Sequence, residues 1–195
     1  MPITVEKPRK VQIQETAEEL FRERGYSATS MRHLAAELGI EPASLYSHIK
    51  SKEEILSSIC FGMADTFFAA IEPILKANKT NAQKLRAMIV AHTSVVLKNV
   101  NASTVFFHDW RHLSEPNFSE FKSLRKAYEH AFKQILAEGV ANGEFAVADL
   151  SFCVKTLFSA MNMTHEWYKP EDALQHQEVG NKLANLLLNG IITNP

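Results

Sequence analysis

The sequence predicts an all-α protein of two domains: an N-terminal three-helix, helix-turn-helix domain over residues 1–52 and a C-terminal helical domain over 53–195. Three observations carry that reading. Apolar residues return at helical spacing along nearly the whole chain, as in Ile13, Ala17, Leu20 and Phe21, or Ile55, Ile59, Met63, Phe67 and Ile71. Seven glycines and seven prolines in 195 residues are too few for the many tight turns of a β-rich fold. Between Ser30 and Ile49, two short apolar-periodic segments flank Gly39, which is the sequence form of a helix-turn-helix.

Taken in order, residues 10–24 form a helix that Gly25 ends. Thr29 or Ser30 caps a second helix, with Met31, Leu34, Ala35 and Leu38 as its apolar positions and Gly39 as its stop. Pro42 suits the first turn of a third helix running to Ile49, because its missing N–H would be unpaired there anyway. The small Ala35 lets the second and third helices approach closely. A stripe from Ile55 to Ile74 follows, which Pro73 should kink or end. Residues 81–99, then 103–113, then Pro116 to about Asn142, then 149–168 and 172–190 complete the helices. The segment 149–168 is apolar on two sides: Leu150, Val154, Leu157, Phe158 and Met161 on one, Phe152, Met163 and Trp167 on the other.

Composition excludes several classes. A hydrophobic share of 46% argues against wholesale disorder. No run of about 18 uncharged apolar residues suggests a membrane span, and the N-terminus has no signal-peptide pattern. Cys60 and Cys153 are too few for a disulfide framework or a four-cysteine zinc site, so a reduced, cytoplasmic protein is expected. The net charge of −1 hides a local pattern. The segment from Pro42 to Lys52 holds His48, Lys50 and Lys52 and no acid. Lys7, Arg9 and Lys10 precede the first helix.

These features point to DNA. The third helix offers Ala43, Ser44, Tyr46, Ser47 and His48 outward, short or polar groups that fit a major groove. The stretch from Glu15 to Leu56, ETAEELFRERGYSATSMRHLAAELGIEPASLYSHIKSKEEIL, resembles the DNA-binding domain of the TetR family of bacterial repressors. Ala17, Leu20, Phe21, Gly25-Tyr26, Thr29, Leu34-Ala35, Gly39, Leu45-Tyr46, His48 and Ser51-Lys52-Glu53 carry the likeness. Glu41 stands where that family usually has a Ser cap, and Ile49 where it usually has Phe. The resemblance implies a homodimer on double-stranded operator DNA. The expected DNA-binding residues are Thr29, Arg32, Ala43, Ser44, Tyr46, Ser47, His48 and Lys52. Tyr46, Lys52 and the N-terminal arm hold phosphate, and Ser44 and Ser47 read bases.

The C-terminal half is rich in large apolar groups, which serve either as plain core or as an adaptable ligand cavity. FFHDWRHL, SLRKAYEHAFKQILAEGVANGEF and MNMTHEWYKPED resemble the C-terminal domain of a TetR subgroup that responds to acyl-CoA. This chain has Glu171-Asp172 after Pro170, where that subgroup often has Gly. The resemblance implies a small-molecule effector, with acyl-CoA as the candidate. It also implies that helices 149–168 and 172–190 pair with their mates in a four-helix bundle, and that effector tilts the helix starting at Lys52. The expected ligand-binding residues are His92, Phe107, Trp110, Arg111, Arg125, Tyr128, Phe158, Met161 and Trp167, with Lys122 and Lys126 beside the anionic head. His92 sits in an apolar stripe, where a satisfied core histidine is the first reading and a ligand contact the second.

Two other classes stay open on sequence. His108 and His112 at i and i+4, with Asp109 between, resemble half of a zinc site, which suggests a metal-dependent enzyme or metal sensor. An apolar-ligand carrier would use the same cavity. No nucleophile elbow, P-loop or dinucleotide fingerprint is present, so neither cofactor nor catalytic residue is expected.

Overall fold

The computed structural model describes residues 7–169 and 175–189. All regular structure among them is helical. The α-helices are α1 (Arg9–Arg24), α2 (Met31–Glu37), α3 (Pro42–Tyr46), α4 (Lys52–Lys76), α5 (Asn81–Lys98), α6 (Val100–His108), α7 (Asn117–Ala141), α8 (Leu150–Asn162), α9 (Thr164–Trp167) and α10 (His176–Asn189), with a 3-10 turn at Trp110–His112. The all-α expectation holds.

The chain forms two compact units, and they divide elsewhere than at Lys52. One contains residues 1–63 and 101–121; the other contains 64–100 and 122–195. α4 and α7 each begin in the first unit and end in the second. Both helices are continuous in apolar period and carry no linker signal.

In the first unit, Ile13, Ala17, Leu20 and Phe21 of α1, Leu34 and Ala35 of α2 and Leu45 of α3 are buried, with α2 packed against both α1 and α3. Ser30 caps α2: its Oγ accepts from the His33 N–H at 3.2 Å, and its own N–H donates to His33 Nδ1 at 3.3 Å. Gly39 takes φ +63°, the left-handed turn a side chain would strain. α3 is shorter than expected: it ends at Tyr46 and Ser47 caps it, although Ile49 still donates to the Leu45 carbonyl. Glu41 stands at its N-cap without any side-chain cap bond, so the weak cap expected of it is not made. Ile49 is buried and fills the core as expected.

α4 runs three residues past Pro73, so the proline sits in the last turn rather than ending the helix. Among the described residues it is the helix long and apolar enough to cross a membrane. Its apolar positions Ile55, Leu56, Ile59, Met63, Phe67 and Ile71 are instead buried in the fold.

In the second unit, α5 is the central element, packed by α10, α8 and α9. Thr80 caps it, and the Glu144 carboxylate accepts from the Asn81 and Ala82 N–H groups at 3.1 and 2.9 Å. Gly180 lets α10 lie against α5; a Cβ there would stand 3.1 Å from the Val90 Cα. The expected 149–168 helix is two helices, broken at Met163. The expected last helix begins at His176 within the described residues, and its expected start at 172–174 and its end at 190 lie outside them.

Candidate functional site

The first candidate is the outer face of the helix-turn-helix. A five-residue helix has few positions to turn inward, and Leu45 alone of α3 is fully buried. Ala43, Ser44, Tyr46 and Ser47 are exposed, Tyr46 by 52%, and His48 is half-buried. Ser47 donates its hydroxyl back to the Ser44 carbonyl at 2.7 Å, so toward a partner it offers acceptor lone pairs. Arg32 is exposed in the first turn of α2. Beside it stands His33, which the sequence reading passed over; the signal was the Ser-x-x-His spacing of its capping box.

Two residues expected on this face point elsewhere. Thr29 is 1% exposed, and its hydroxyl proton is shared between the carbonyls of Leu20 and Gly25 at 3.3 and 3.0 Å. It fastens the α1–α2 connection, and the DNA role expected of its side chain is withdrawn. Lys52 Nζ donates to the carbonyls of Tyr26 and Thr29 at 2.7 and 2.8 Å and lies 4.0 Å from the Tyr26 ring centroid. Desolvation pulls its pKa below the ordinary lysine value. Tyr26 in turn stacks on His112 at 5.0 Å and meets the edge of Phe21 at 5.1 Å. Of the arm, Lys7 pairs with Glu15 at 2.6 Å, Arg9 reaches Gln12, and Lys10 is exposed; residues 1–6 lie outside the described ones.

The second candidate is the ligand set, which falls into two groups, one in each unit. Phe107, Trp110 and Arg111 belong to the first. Trp110 is buried, stacked on Phe118 at 5.5 Å, with the Arg111 guanidinium 4.7 Å from its ring centroid. Phe107 meets Phe106 edge-on at 5.1 Å.

His92, Arg125, Tyr128, Phe158, Met161 and Trp167 belong to the second unit. Here His92 is 2% exposed and walled by Phe67 at 4.6 Å and Phe158 at 5.6 Å, between ring centroids. The Tyr128 hydroxyl donates to its Nδ1 at 3.2 Å, and its Nε2–H donates to Asn162 Oδ1 at 3.0 Å. That tautomer follows from the partner, since Oδ1 can only accept. Burial drives the His92 pKa down to about 3, with Arg125 adding a smaller push, so the ring is neutral. Burial raises the Tyr128 pKa well above its ordinary value. Met161 is fully buried beneath, and Arg125 is half-buried. Trp167 is 55% exposed and stands outside this core.

The His108–His112 pair loses its geometric premise. α6 ends at His108, and His112 sits in the 3-10 turn, where its ring stacks on Tyr26 and its Nε2 lies 3.4 Å from Ser27 Oγ. The i, i+4 argument needs one continuous helix.

Known proteins identify the family. Residues 13–59 match the model for bacterial regulatory proteins of the tetR family, and residues 78–191 match the tetracyclin repressor-like C-terminal domain. The HTH-type transcriptional repressor KstR2 of Mycobacterium tuberculosis (strain H37Rv) is 28% identical over 186 residues, 94% of this chain and 92% of that protein. The solved structure of this ketosteroid transcriptional regulator superposes with a TM-score of 0.89 at 26% identity, over 97% of both chains. The fatty acid metabolism regulator protein of Bacillus subtilis (strain 168) is 25% identical, over 95% of this chain and 96% of that one. The regulator PfmR from Thermus thermophilus has 31% identity and a TM-score of 0.83, over 93% of this chain and 100% of its own.

Proposed function

We propose, for a chain that belongs to the TetR family of bacterial regulatory proteins, that it is a cytoplasmic homodimeric repressor released from a palindromic operator by a CoA thioester of an apolar acid. Family membership makes it a DNA-binding transcriptional regulator and not an enzyme. The outward face of α3 supports operator reading most directly: three small groups, Ala43, Ser44 and Ser47, flank a half-exposed phenol, Tyr46. Small side chains let the helix backbone approach base edges, while Tyr46 and Arg32 hold phosphate.

The dimer reading rests on the outer face of α8. Phe152, Thr156, Ser159 and Met163 follow one another at helical spacing and are exposed, Phe152 by 69% and Met163 by 48%. Trp167 and Leu186 add exposed area of the same kind. A second copy covers such a stripe, and pairing through α8 and α10 makes it isologous. An operator then requires the two recognition helices about 34–36 Å apart, or a multiple of that.

The effector reading rests on the aromatic wall around His92 in the second unit. Two of the relatives are named for ketosteroids and for fatty acid metabolism. Breakdown of such compounds passes through bulky apolar acids, a class carried in cells as CoA thioesters. To release DNA, the ligand must favour the DNA-incompetent state; equal affinity for both states does nothing. The test is a gel shift with upstream DNA, titrated with a panel of CoA thioesters and the matching free acids. Release by a medium-chain, long-chain or aryl thioester, with free CoA weak, is expected. Release by free acids while every thioester is inert removes the CoA assignment and leaves the repressor. A protein that retards no upstream fragment removes both.

A further inference from the structure

The outer side of α5 carries a groove that none of the roles above uses. It encloses about 780 Å³, within the size range of small-molecule sites. α5 forms its floor and the start of α10 forms one bank. Its cations are Lys79, Arg86 and Lys98, the His176 imidazole stands beside them, and no carboxylate is among the described residues that line it. The charged side-chain ends of Lys79, Arg86 and Lys98 make no ion pair or hydrogen bond to any described residue. The nearest acid in sequence, Glu178, is held by Lys182 at 3.2 Å. Like charges gathered in a concave surface focus a positive potential.

The spacing limits what fits. Arg86 and Lys98 are twelve residues apart on one helix, roughly 18 Å at 1.5 Å per residue. A single small anion cannot reach both ends. Between them Ala87, Val90 and Ala91 make a flat apolar strip, and the amides of Gln83 and Asn181 edge it. His176 is braced edge-on against Tyr168, with ring centroids 5.5 Å apart. Cations at the ends with an apolar strip between them match a flat ring that bears a chain of phosphates. Arginine's planar fork suits phosphate oxygens better than a point charge does.

We propose that this groove is a second ligand site, for a phosphate-rich small anion of nucleotide size. It shares no residue with the operator face or with the His92 wall, so it stands or falls independently of the effector reading. The probes are ATP, tripolyphosphate and adenosine, titrated calorimetrically into the full chain without DNA at low salt. ATP and tripolyphosphate bind, and adenosine does not. Arg86→Gln with Lys98→Gln lowers ATP affinity at least tenfold while thermal melting and operator binding stay as in the wild type. Lys98→Gln alone, at an exposed helix end, lowers it by less and covers the case in which the double variant fails to fold. The proposal is overturned if neither phosphate probe binds. It is equally overturned if adenosine binds as tightly as ATP, or if the variants bind ATP as the wild type does.

Discussion

Each unit holds a network of inward-facing polar groups, around Thr29 and Lys52 in the first and around His92 in the second, and these two networks are satisfied in different ways. In the first, the Thr29 hydroxyl and the Lys52 ammonium donate only to backbone carbonyls, those of Leu20, Gly25, Tyr26 and Thr29. In the second, His92 is held by side chains, Tyr128 and Asn162, inside an aromatic wall. Backbone acceptors are placed by helix and turn geometry and cannot turn away, so the first system acts as a clamp. Side-chain partners can rotate or be replaced by a ligand's polar atoms at similar energy. The difference teaches that the DNA-reading unit is held fixed, while the second unit keeps exchangeable partners where an effector is expected.

The largest effect should come from the wall itself. Phe132 is fully buried and meets Phe158 at 4.9 Å and Tyr128 at 5.5 Å. Phe132→Ala should cost about 3–5 kcal/mol in urea unfolding. A loss under about 1 kcal/mol would mean the wall is loosely packed and already open.

Next comes the neutrality of His92. Its folded pKa of about 3 lies below the unfolded value of 6.5, so the unfolded chain binds the proton first as pH falls. The stability tied to the neutral ring is therefore complete above pH 6.5 and is lost as pH drops toward 3. Relative to neutral pH, the loss at about pH 4.5 should be roughly 2–3 kcal/mol. His92→Gln keeps hydrogen-bonding capacity without titrating. Wild-type and variant stabilities measured across this range should diverge; parallel curves would show that His92 titrates alike in the folded and unfolded chains.

Lys52→Met sharpens the other side of the contrast. Removing two charge-assisted bonds should destabilise the protein by about 2 kcal/mol. If Lys52 is a clamp, the salt dependence of operator binding keeps its slope. A slope lower by about one would return the residue to phosphate contact.

The smallest effects separate a strut from a reader. Thr29→Val removes a buried hydrogen bond for about 1 kcal/mol and leaves operator contacts intact. Tyr46→Phe, at a half-exposed site, should change stability by less than about 0.5 kcal/mol, yet weaken binding to all operator variants alike. Base-specific losses for Tyr46→Phe would make it a reader instead.

The sequence by itself determined the helical class, the helix-turn-helix and most element limits. These follow from local signals: the apolar period, Gly39's left-handed turn, Pro42 at a first turn, and the buried Leu34, Ala35 and Leu45. It also marked the second apolar face of α8 through Phe152 and Met163, since a stripe opposite the core is visible in period alone. Only the tertiary structure decided which polar groups face inward. Thr29 and Lys52 look like surface donors in sequence, because nothing local reveals that carbonyls of Leu20 and Tyr26 converge on them. The passage of α4 and α7 from one unit to the other was likewise invisible, because neither helix shows a break in period. The groove on α5 depends on α10 crossing beside it, a juxtaposition of residues some 80–100 positions apart, which no pattern along the chain encodes.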